Sequence, residues 1–302
     1  MGDPVIAVRG LRKSYGGLDA VRGIDLEVRQ GQVFAFLGPN GAGKTTTVEI
    51  LEGYRARDAG EVSVLGHDPA RPTRSWYARI GVVLQTNQLQ PELTVRETVQ
   101  MHAGYYPAPR GVDETIAQVG LTDAAGQRAG KLSGGQQRRL DVALALVGDP
   151  ELLFLDEPTT GFDPGARHSA WTLIAGLRDL GKAVFLTTHY LDEAQELADR
   201  VAIIVAGEIV AEGPPDQLGP DAQGPRTRIV FHLPEGDPAA LPAGLAARAR
   251  MDGRRVDLPS ADPVVDLHAL TGWAIEQRVE LADLEVRPES LEDVYLQLTA
   301  AS

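Results

Sequence analysis

The residues with the clearest chemical potential lie in one glycine-rich segment. Glycine lets backbone N–H groups turn inward around an anion, and a helix that begins there adds the partial positive charge of its N-terminus. This segment matches the pattern G-x-x-x-x-G-K-T and has one further threonine after it. Its residues are Gly38, Pro39, Asn40, Gly41, Ala42, Gly43, Lys44, Thr45 and Thr46. We predict that this segment, the phosphate cradle, binds ATP through Lys44 at the β- and γ-phosphates and holds Mg²⁺ through the Thr45 hydroxyl. The alternative is a glycine-rich turn before an ordinary helix.

A second chemical feature is a pair of acids after the apolar run Leu152–Leu155. Asp156 and Glu157 follow this run directly, and ligands of open α/β sheets bind at the carboxyl ends of parallel strands. Asp156 can orient Mg²⁺ through water, and Glu157 can act as the general base toward an attacking water. Two acids after a strand are by themselves more often a solvated turn, but the phosphate cradle upstream favours the catalytic interpretation.

The elements that must position these residues alternate between short apolar runs and helical patterns, which predicts an α/β fold. Val33–Leu37 ends at the phosphate cradle and is predicted as a buried strand, with a helix over Thr45–Glu52. The other predicted strands are Ile80–Leu84, Leu152–Leu155, Val184–Thr187 and Val201–Val205, the last joined through Gly207 to Ile209–Val210 as a hairpin.

Between about residues 87 and 149 the strand signal disappears. Helices are predicted instead over Glu92–Ala103, Asp113–Val119 and Gly134–Val147. The pattern indicates a helical insertion within a sheet domain.

A domain boundary is predicted near residue 213. Residues 213–225 are rich in proline and glycine and are predicted as a linker between a domain at 1–212 and a small α+β domain at 226–302. The small domain is predicted to contain a strand over Arg226–Leu233 and helices over Leu267–Glu276 and Leu291–Leu298. Ser290 is placed to cap the last helix.

Composition excludes several function classes. The net charge of −13 at pH 7 argues against nucleic acid as a partner, because such proteins replace phosphate counterions with Lys and Arg. Cysteine is absent, so disulfides and thiolate metal sites are excluded. The sequence has neither a signal pattern nor a run of 18 apolar residues, so we expect a cytosolic protein that reaches a membrane only through a partner.

One further motif, Leu132-Ser133-Gly134-Gly135-Gln136, has two interpretations. Ser133 and Gln136 have the spacing of a helix capping box. Capping does not explain two consecutive glycines, whose bare backbone suits close approach to an anion. With this motif in place, residues 4–212 resemble the nucleotide-binding subunit of ABC transporters.

The resemblance implies that Ser133, Gly134, Gly135 and Gln136, the signature segment, bind the γ-phosphate of ATP held by a second copy. It also implies that Tyr15 stacks on adenine, that Gln85 touches Mg²⁺ and the attacking water, that Asp163 crosses the dimer interface and that His189 contacts the γ-phosphate. Without the resemblance, a core tyrosine, a surface amide and a structural histidine are the ordinary interpretations. The catalytic residues so predicted are Glu157, His189, Gln85 and Lys44, and the metal ligands are Thr45, Gln85 and Asp156.

The carboxyl-terminal sequence narrows the resemblance. Pro288–Thr299 is similar to the ending of ATPase subunits of ABC-2 type exporters, and Gln137–Asp141 and Leu51–Arg55 look like the daunorubicin-resistance branch. One residue departs from the family's pattern: Phe162 stands where relatives usually have leucine. The fold class implied is a P-loop NTPase core with an antiparallel β subdomain, a helical insertion and a small carboxyl-terminal α+β domain.

The function implied is that of an ATPase subunit that powers a separate exporter of drugs, antibiotics, lipids or polysaccharide. ATP would join two copies head to tail, and an integral membrane permease would be contacted near Asn87–Met101 at the cytoplasmic face of the membrane. The alternative is a soluble ABC-type ATPase that is not coupled to transport.

Overall fold

The computed structural model describes residues 4–84, 89–218, 227–234, 241–288 and 290–300, and for the last five of these only the backbone. The chain divides into two compact units, one running to Pro215 and the other beginning at Asp216. Within the described residues no helix combines the length and the apolar character that crossing a bilayer requires.

A six-stranded sheet forms the centre of the first unit, in the order β5-β6-β7-β3-β8-β9. The first five strands are parallel, and β9 pairs antiparallel to β8 in the predicted hairpin. The strands are β3 (Val33–Leu37), β5 (Ile80–Val83), β6 (Leu152–Asp156), β7 (Ala183–Thr188), β8 (Arg200–Val205) and β9 (Glu208–Gly213).

The parallel strands are apolar along their whole length because helices and loops cover both faces of the sheet. All five residues of β3 and all six of β7 are buried. Phe185 on β7 packs against Phe34, Phe36 and Phe154 with ring centroids 5.4–5.8 Å apart. This packing fixes the carboxyl ends of β3, β6 and β7 next to one another.

A three-stranded antiparallel sheet in the order β2-β1-β4 completes the predicted β subdomain. Its strands are β1 (Ile6–Tyr15), β2 (Leu18–Val28) and β4 (Ala59–Val64). The helices of the core are α1 (Lys44–Leu51), α2 (Arg74–Tyr77), α6 (Pro164–Asp179) and α7 (Leu191–Leu197).

The helical insertion contains α3 (Val95–Ala103), α4 (Val112–Gln118) and α5 (Gly134–Leu146). The prediction that the first of these begins at Glu92 was wrong. Thr94 has extended backbone angles and accepts a hydrogen bond from the backbone N–H of Glu97, whose side chain bonds back, so the helix begins after this capping box. Ser133 and Gln136 form the same box at the start of α5.

The second unit is an antiparallel sheet with helices, in the strand order β11-β12-β10-β13. Its core contains Phe231, Leu258 and Leu270. Its elements are β10 (Thr227–His232), α8 (Ala243–Ala246), β11 (Arg250–Asp252), β12 (Arg255–Ser260), α9 (Pro263–Gln277), β13 (Ala282–Pro288) and α10 (Leu291–Ala300). Ser290 caps α10, because its hydroxyl accepts from the Asp293 N–H at 3.3 Å.

Candidate active site

The phosphate cradle connects β3 to α1, and two of its glycines are required by their surroundings. A Cβ at Gly38 would lie 2.3 Å from the carbonyl oxygen of Ile204, and one at Gly43 would lie 2.3 Å from that of Ala20. Gly43 also has φ +107°, a conformation that other residues rarely adopt. Gly41 has φ +81° with open space around it. The tight path of the loop therefore depends on packing against β2 and β8.

Lys44 is buried at the first position of α1, with 7% of its surface exposed. Its Nζ donates to the carbonyl oxygens of Gly38 at 2.6 Å and Pro39 at 3.1 Å. Burial lowers the pKa of Lys44, and the carboxylates of Glu157 and Asp156 act in the opposite direction. The ammonium group is thus held inside the loop by neutral carbonyls and faces two acids, an arrangement suited to receiving a polyanion.

One cavity of about 180 Å³ joins the two chemical features predicted from the sequence. Its wall is formed by Ala20, Asn40, Gly41, Gly43, Lys44, Thr45, Thr46, Asp156 and Glu157. The structure therefore brings the phosphate cradle and the acid pair, which lie more than a hundred residues apart in sequence, to the same opening.

Both acids are positioned by Thr187 at the end of the neighbouring strand β7. The Thr187 hydroxyl donates to Asp156 Oδ1 at 2.5 Å, and the Glu157 N–H lies 3.1 Å from both the hydroxyl and the carbonyl oxygen of Thr187. Glu157 has φ +44°, which is strained for a residue with a side chain. Thr160 donates to Glu157 Oε2 at 3.0 Å. The strained turn points a carboxylate into the cavity and is held there by four hydrogen bonds.

His189 follows β7 and reaches the same carboxylate. Its Nδ1 lies 3.3 Å from Glu157 Oε1. The ring of Tyr190 packs against it with centroids 4.1 Å apart, and the Arg167 guanidinium carbon lies 4.2 Å from the centroid of Tyr190. Arg167 is in turn paired with Asp192 at 2.9 Å. Tyr190 and Arg167 support the predicted histidine and were missed from sequence, although adjacency to His189 pointed to the first.

A buried carboxyl group, Glu52, follows α1 and is 4% exposed. Burial raises its pKa to about 8, with further contributions from the charges of Asp156 and Glu49. At neutral pH this group is protonated, so it adds no negative charge beside the acid pair. No sequence pattern indicated it.

Arg138 on α5 is a further residue that no sequence pattern indicated. Its Nε donates to the carbonyl oxygen of Pro158 at 3.1 Å, Nη2 to that of Asp156 at 3.1 Å and Nη1 to that of Leu84. These three carbonyls lie at the ends of β5 and β6 or just beyond them.

The signature segment lies at the start of α5 and is not among the residues that line the cradle cavity. Three of its residues, Ser133, Gly135 and Gln136, line a different cavity of about 190 Å³. Phe162 also lines this cavity, between α5 and α6. A Cβ at Gly134 or Gly135 would meet no heavy atom within 4 Å. Neither glycine is therefore required by packing within this chain.

Tyr15 and Asp163, two of the other predicted site residues, lie apart from the cradle cavity. Tyr15 is 39% exposed at the end of β1, with Arg55 5.2 Å and Lys13 5.3 Å from its ring centroid. Asp163 caps α6 by accepting from the Ala166 N–H at 2.9 Å. Gln85 lies outside the described residues.

Known proteins share this architecture. The ABC transporter family matches residues 21–160, and a carboxyl-terminal domain found in proteins that contain an ABC transporter domain matches residues 227–290. Among solved structures, cbiO1 from Clostridium perfringens, described as part of the ABC transporter complex cbiONQ, is 28% identical with a TM-score of 0.66 and covers 71% of this chain and 90% of its own. The ADP conformation of MJ1267, an ATP-binding cassette of an ABC transporter, is 26% identical with a TM-score of 0.63. The match covers 70% of this chain and 92% of that one.

Two relatives align along nearly the whole chain. The daunorubicin resistance ATP-binding protein DrrA3 of Streptomyces coeruleorubidus is 38% identical over 306 residues, 99% of this chain and 97% of that protein. The Nod factor export ATP-binding protein I of Paraburkholderia xenovorans (strain LB400) is 39% identical over 309 residues, 99% of this chain and 98% of that protein. The chain therefore belongs to the ABC transporter family, as one of its ATP-binding, ATP-hydrolysing subunits.

Proposed function

We propose that this chain hydrolyses ATP with Mg²⁺ to drive a separate integral membrane exporter. The observation that carries the proposal is the single cavity in which Lys44 and Thr45 face Asp156 and Glu157. Relatives named for daunorubicin resistance and for Nod factor export support export of drugs, antibiotics, lipids or polysaccharide as the class of cargo.

The oxygen donors at this cavity fit Mg²⁺. Thr45 offers a hydroxyl, Asp156 offers a carboxylate, and the predicted third ligand is Gln85. Few protein ligands are needed, because Mg²⁺ bound with a nucleotide keeps several waters and takes phosphate oxygens as its other ligands. When bound, Mg²⁺ would neutralise charge on the phosphates.

Three residues of this chain have separate roles in the proposed hydrolysis. Lys44 stabilises the charge that develops on the transferred phosphate, because the carbonyl oxygens of Gly38 and Pro39 hold its ammonium group in place. Glu157 accepts a proton from the attacking water. His189 orients that carboxylate from 3.3 Å and, with 40% of its side chain exposed, is proposed to contact the γ-phosphate as well.

Within one copy, the signature segment does not line the cradle cavity, so we propose that it serves the site of a second copy. Two copies arranged head to tail would place Ser133–Gln136 of each against ATP held by Gly38–Thr46 of the other, with Asp163 at their interface and Tyr15 on the adenine. The exposed N-terminus of α5 favours an anion there. ATP then favours the closed pair, and hydrolysis weakens it, because only the triphosphate contacts both copies.

The permease contact is proposed within residues 87–101, which include the start of α3. Through it the chain would be held at the cytoplasmic face of the membrane. Expressed with an integral membrane subunit from the same gene cluster, the chain should sediment with membranes and should remain in the supernatant without it. Recovery in the supernatant under both conditions, with turnover retained, would support the uncoupled ATPase instead.

Two substitutions test the catalytic assignment. Glu157→Gln should lower turnover by at least about 10²-fold while ATP still binds, because it removes the base and keeps the shape of the side chain. Exposed Glu208→Gln is the matched control and should leave turnover unchanged. Full turnover in Glu157→Gln would remove Glu157 as the base.

Lys44→Ala should weaken ATP binding by about tenfold or more, because the buried ammonium group is the cation of the cradle. The exposed Lys131→Ala is its control and should bind ATP like the parent protein. An unchanged affinity in Lys44→Ala would refute the cradle assignment.

A further inference from the structure

The aromatic ring proposed to stack on adenine lies at the tip of a hairpin. Tyr15 ends β1 and pairs with Leu18, the first residue of β2, so only Gly16 and Gly17 form the turn between them. The two glycines have φ +54° and +91°, as a two-residue hairpin turn requires, and a Cβ on either would meet no heavy atom within 4 Å. Because the tip has so few neighbours of its own, its tyrosine depends on contacts from outside the hairpin for a fixed position.

Arg55, which follows α1, makes such a contact. Its guanidinium carbon lies 5.2 Å from the centroid of the Tyr15 ring, within the range of a cation–π interaction. Its Nε donates to the carboxylate of Glu49 on α1, which holds the guanidinium in place. Tyr15 remains 39% exposed, so part of its surface stays available for a base to stack on.

The backbone that carries Arg55 is fixed by the end of α1. The N–H groups of Tyr54 and Arg55 both donate to the carbonyl oxygen of Glu49, at 2.9 and 3.0 Å. Gly53 makes this turn with φ +79°, a common way for a helix to end, and a Cβ there would lie 2.9 Å from the carbonyl oxygen of Pro69. The position of Arg55 is therefore built onto the helix that begins at the phosphate cradle.

The far side of the same turn is attached to β1. Asp58 accepts hydrogen bonds from Lys13 Nζ at 2.6 Å and from the Ser14 N–H at 2.7 Å. The Lys13 ammonium group, 5.3 Å from the centroid of the Tyr15 ring, is thereby held by Asp58. Residues 53–58 thus connect the end of α1 to the last residues of β1.

We propose that Arg55 is a positioning residue that holds Tyr15 in place for stacking on the nucleotide base. A ring that is already held loses less conformational freedom when a base stacks on it, so the contact raises affinity. The effect of Arg55 passes through the ring and not through the phosphates, and it therefore requires a ligand that has a base. This inference rests on the proposed role of Tyr15 in nucleotide binding.

Arg57 provides the matched control. It lies two residues further along the same turn, and its guanidinium donates to the carboxylate of Asp68 at 2.7 and 2.9 Å. Within the part of the chain that the structure describes, the cations over the Tyr15 ring are Lys13 and Arg55. Arg55→Gln and Arg57→Gln remove the same charge from one turn, and only the first takes a cation from the ring.

The test compares the binding of ADP and of inorganic pyrophosphate to the full-length protein with Mg²⁺. Both ligands carry two phosphates, only ADP has a base, and neither is the triphosphate that is proposed to join two copies. Tyr15→Ala should weaken ADP binding at least about fivefold. Arg55→Gln should weaken ADP binding about threefold or more and leave pyrophosphate affinity within about twofold of the parent.

A second arm tests whether the effect passes through the ring. In protein that already carries Tyr15→Ala, Arg55→Gln should lower ADP affinity by no more than about twofold further, because residues that act as a unit are not additive. Arg55→Lys, which keeps a cation beside the ring, should lose less ADP affinity than Arg55→Gln. Arg57→Gln should bind both ligands like the parent protein.

The outcomes separate this inference from the proposed function. A parent protein that does not bind ADP refutes the proposed function itself. If Tyr15→Ala binds ADP like the parent, the stacking role of Tyr15 is wrong and the role of Arg55 falls with it, while the catalytic assignment stands.

The positioning role alone is overturned if Tyr15→Ala weakens ADP binding and Arg55→Gln does not. An equal loss of pyrophosphate affinity in Arg55→Gln, or full additivity with Tyr15→Ala, also overturns it, because either result shows an effect that does not pass through the ring. If Arg55→Gln does not fold, Glu49→Ala, which releases the guanidinium, takes its place under the same criteria.

Discussion

Replacing Gly135 by alanine should stabilise one copy and prevent two copies from closing. Gly135 is the second residue of α5, has no positive φ, and an added Cβ would meet no heavy atom within 4 Å. Alanine in such a position stabilises by about 0.4–1 kcal/mol, because glycine loses more backbone entropy on folding. In a unit of this size, the melting temperature should rise by about 1–4 °C.

The same methyl group should be unfavourable in the proposed dimer, where the bare backbone meets ATP held by the second copy. Overpacking a close contact costs about 1–3 kcal/mol, and each dimer contains the contact twice, so ATP-dependent association should weaken at least about thirtyfold. The assay is sedimentation of Glu157→Gln protein with ATP and Mg²⁺, alongside thermal unfolding without nucleotide.

Gly176→Ala is the matched control, because Gly176 lies within α6 and also has open space around its position. This variant should be stabilised while associating normally. Normal association of Gly135→Ala would show that the capping box of Ser133 and Gln136 explains the motif without any anion. A lowered melting temperature would show that the position is packed rather than open.

Three further predictions concern the site itself. Gly43→Ala should lower the free energy of unfolding by about 3 kcal/mol or more and abolish ATP binding, because its added Cβ meets a carbonyl oxygen at 2.3 Å. Gly41→Ala has open space and should lower it by only about 1–3 kcal/mol, through backbone strain. Thermal unfolding and nucleotide titration of the two variants test the difference. With a folded-state pKa of about 8 against an ordinary 4.5, Glu52 holds a proton that the unfolded chain releases, so stability should fall from pH 5 to pH 8 in denaturant titrations. Glu52→Gln should reduce this loss of stability with pH. An unchanged dependence of the free energy of unfolding on pH would contradict the raised pKa of Glu52. Tyr190→Ala should lower turnover by about 2- to 30-fold, while Tyr190→Phe should not, because phenylalanine keeps the ring beside His189. Equal turnover in Tyr190→Ala and the parent protein would refute a supporting role for this ring contact.

Much of the core could be predicted because buried parallel strands are continuous apolar runs. The predicted bounds of Val33–Leu37 match the structure, and those of Ile80–Leu84 and Leu152–Leu155 differ from it by a single residue. The antiparallel strands β1 and β2 gave a weaker signal, because their pairing is interrupted by shifts in register near Val8 and Lys13. Such bulges break the alternation on which strand prediction depends.

The candidate site, like the fold, could be predicted only in part from the sequence. The phosphate cradle has a spacing fixed by glycine geometry and lysine reach, so the sequence pattern alone predicts it. Arg138 and Arg167 act through contacts with distant segments, and nothing local distinguishes them from surface residues, whereas Tyr190 could have been suspected from its place beside His189. The start of α3 was misjudged because Thr94 and Glu97 compete with the helix for the same backbone groups.

Each ATP site is proposed to be shared between two copies, and cross-linking tests this most directly. The chain has no cysteine, so single cysteines introduced as Asn40→Cys in one copy and Ser133→Cys in another can be joined by a short bifunctional maleimide without background. In the Glu157→Gln protein, we expect a cross-linked dimer when the two variants are mixed with ATP and Mg²⁺, and none without nucleotide. Equal cross-linking with and without ATP, or none in either condition while ATP is bound, would contradict it.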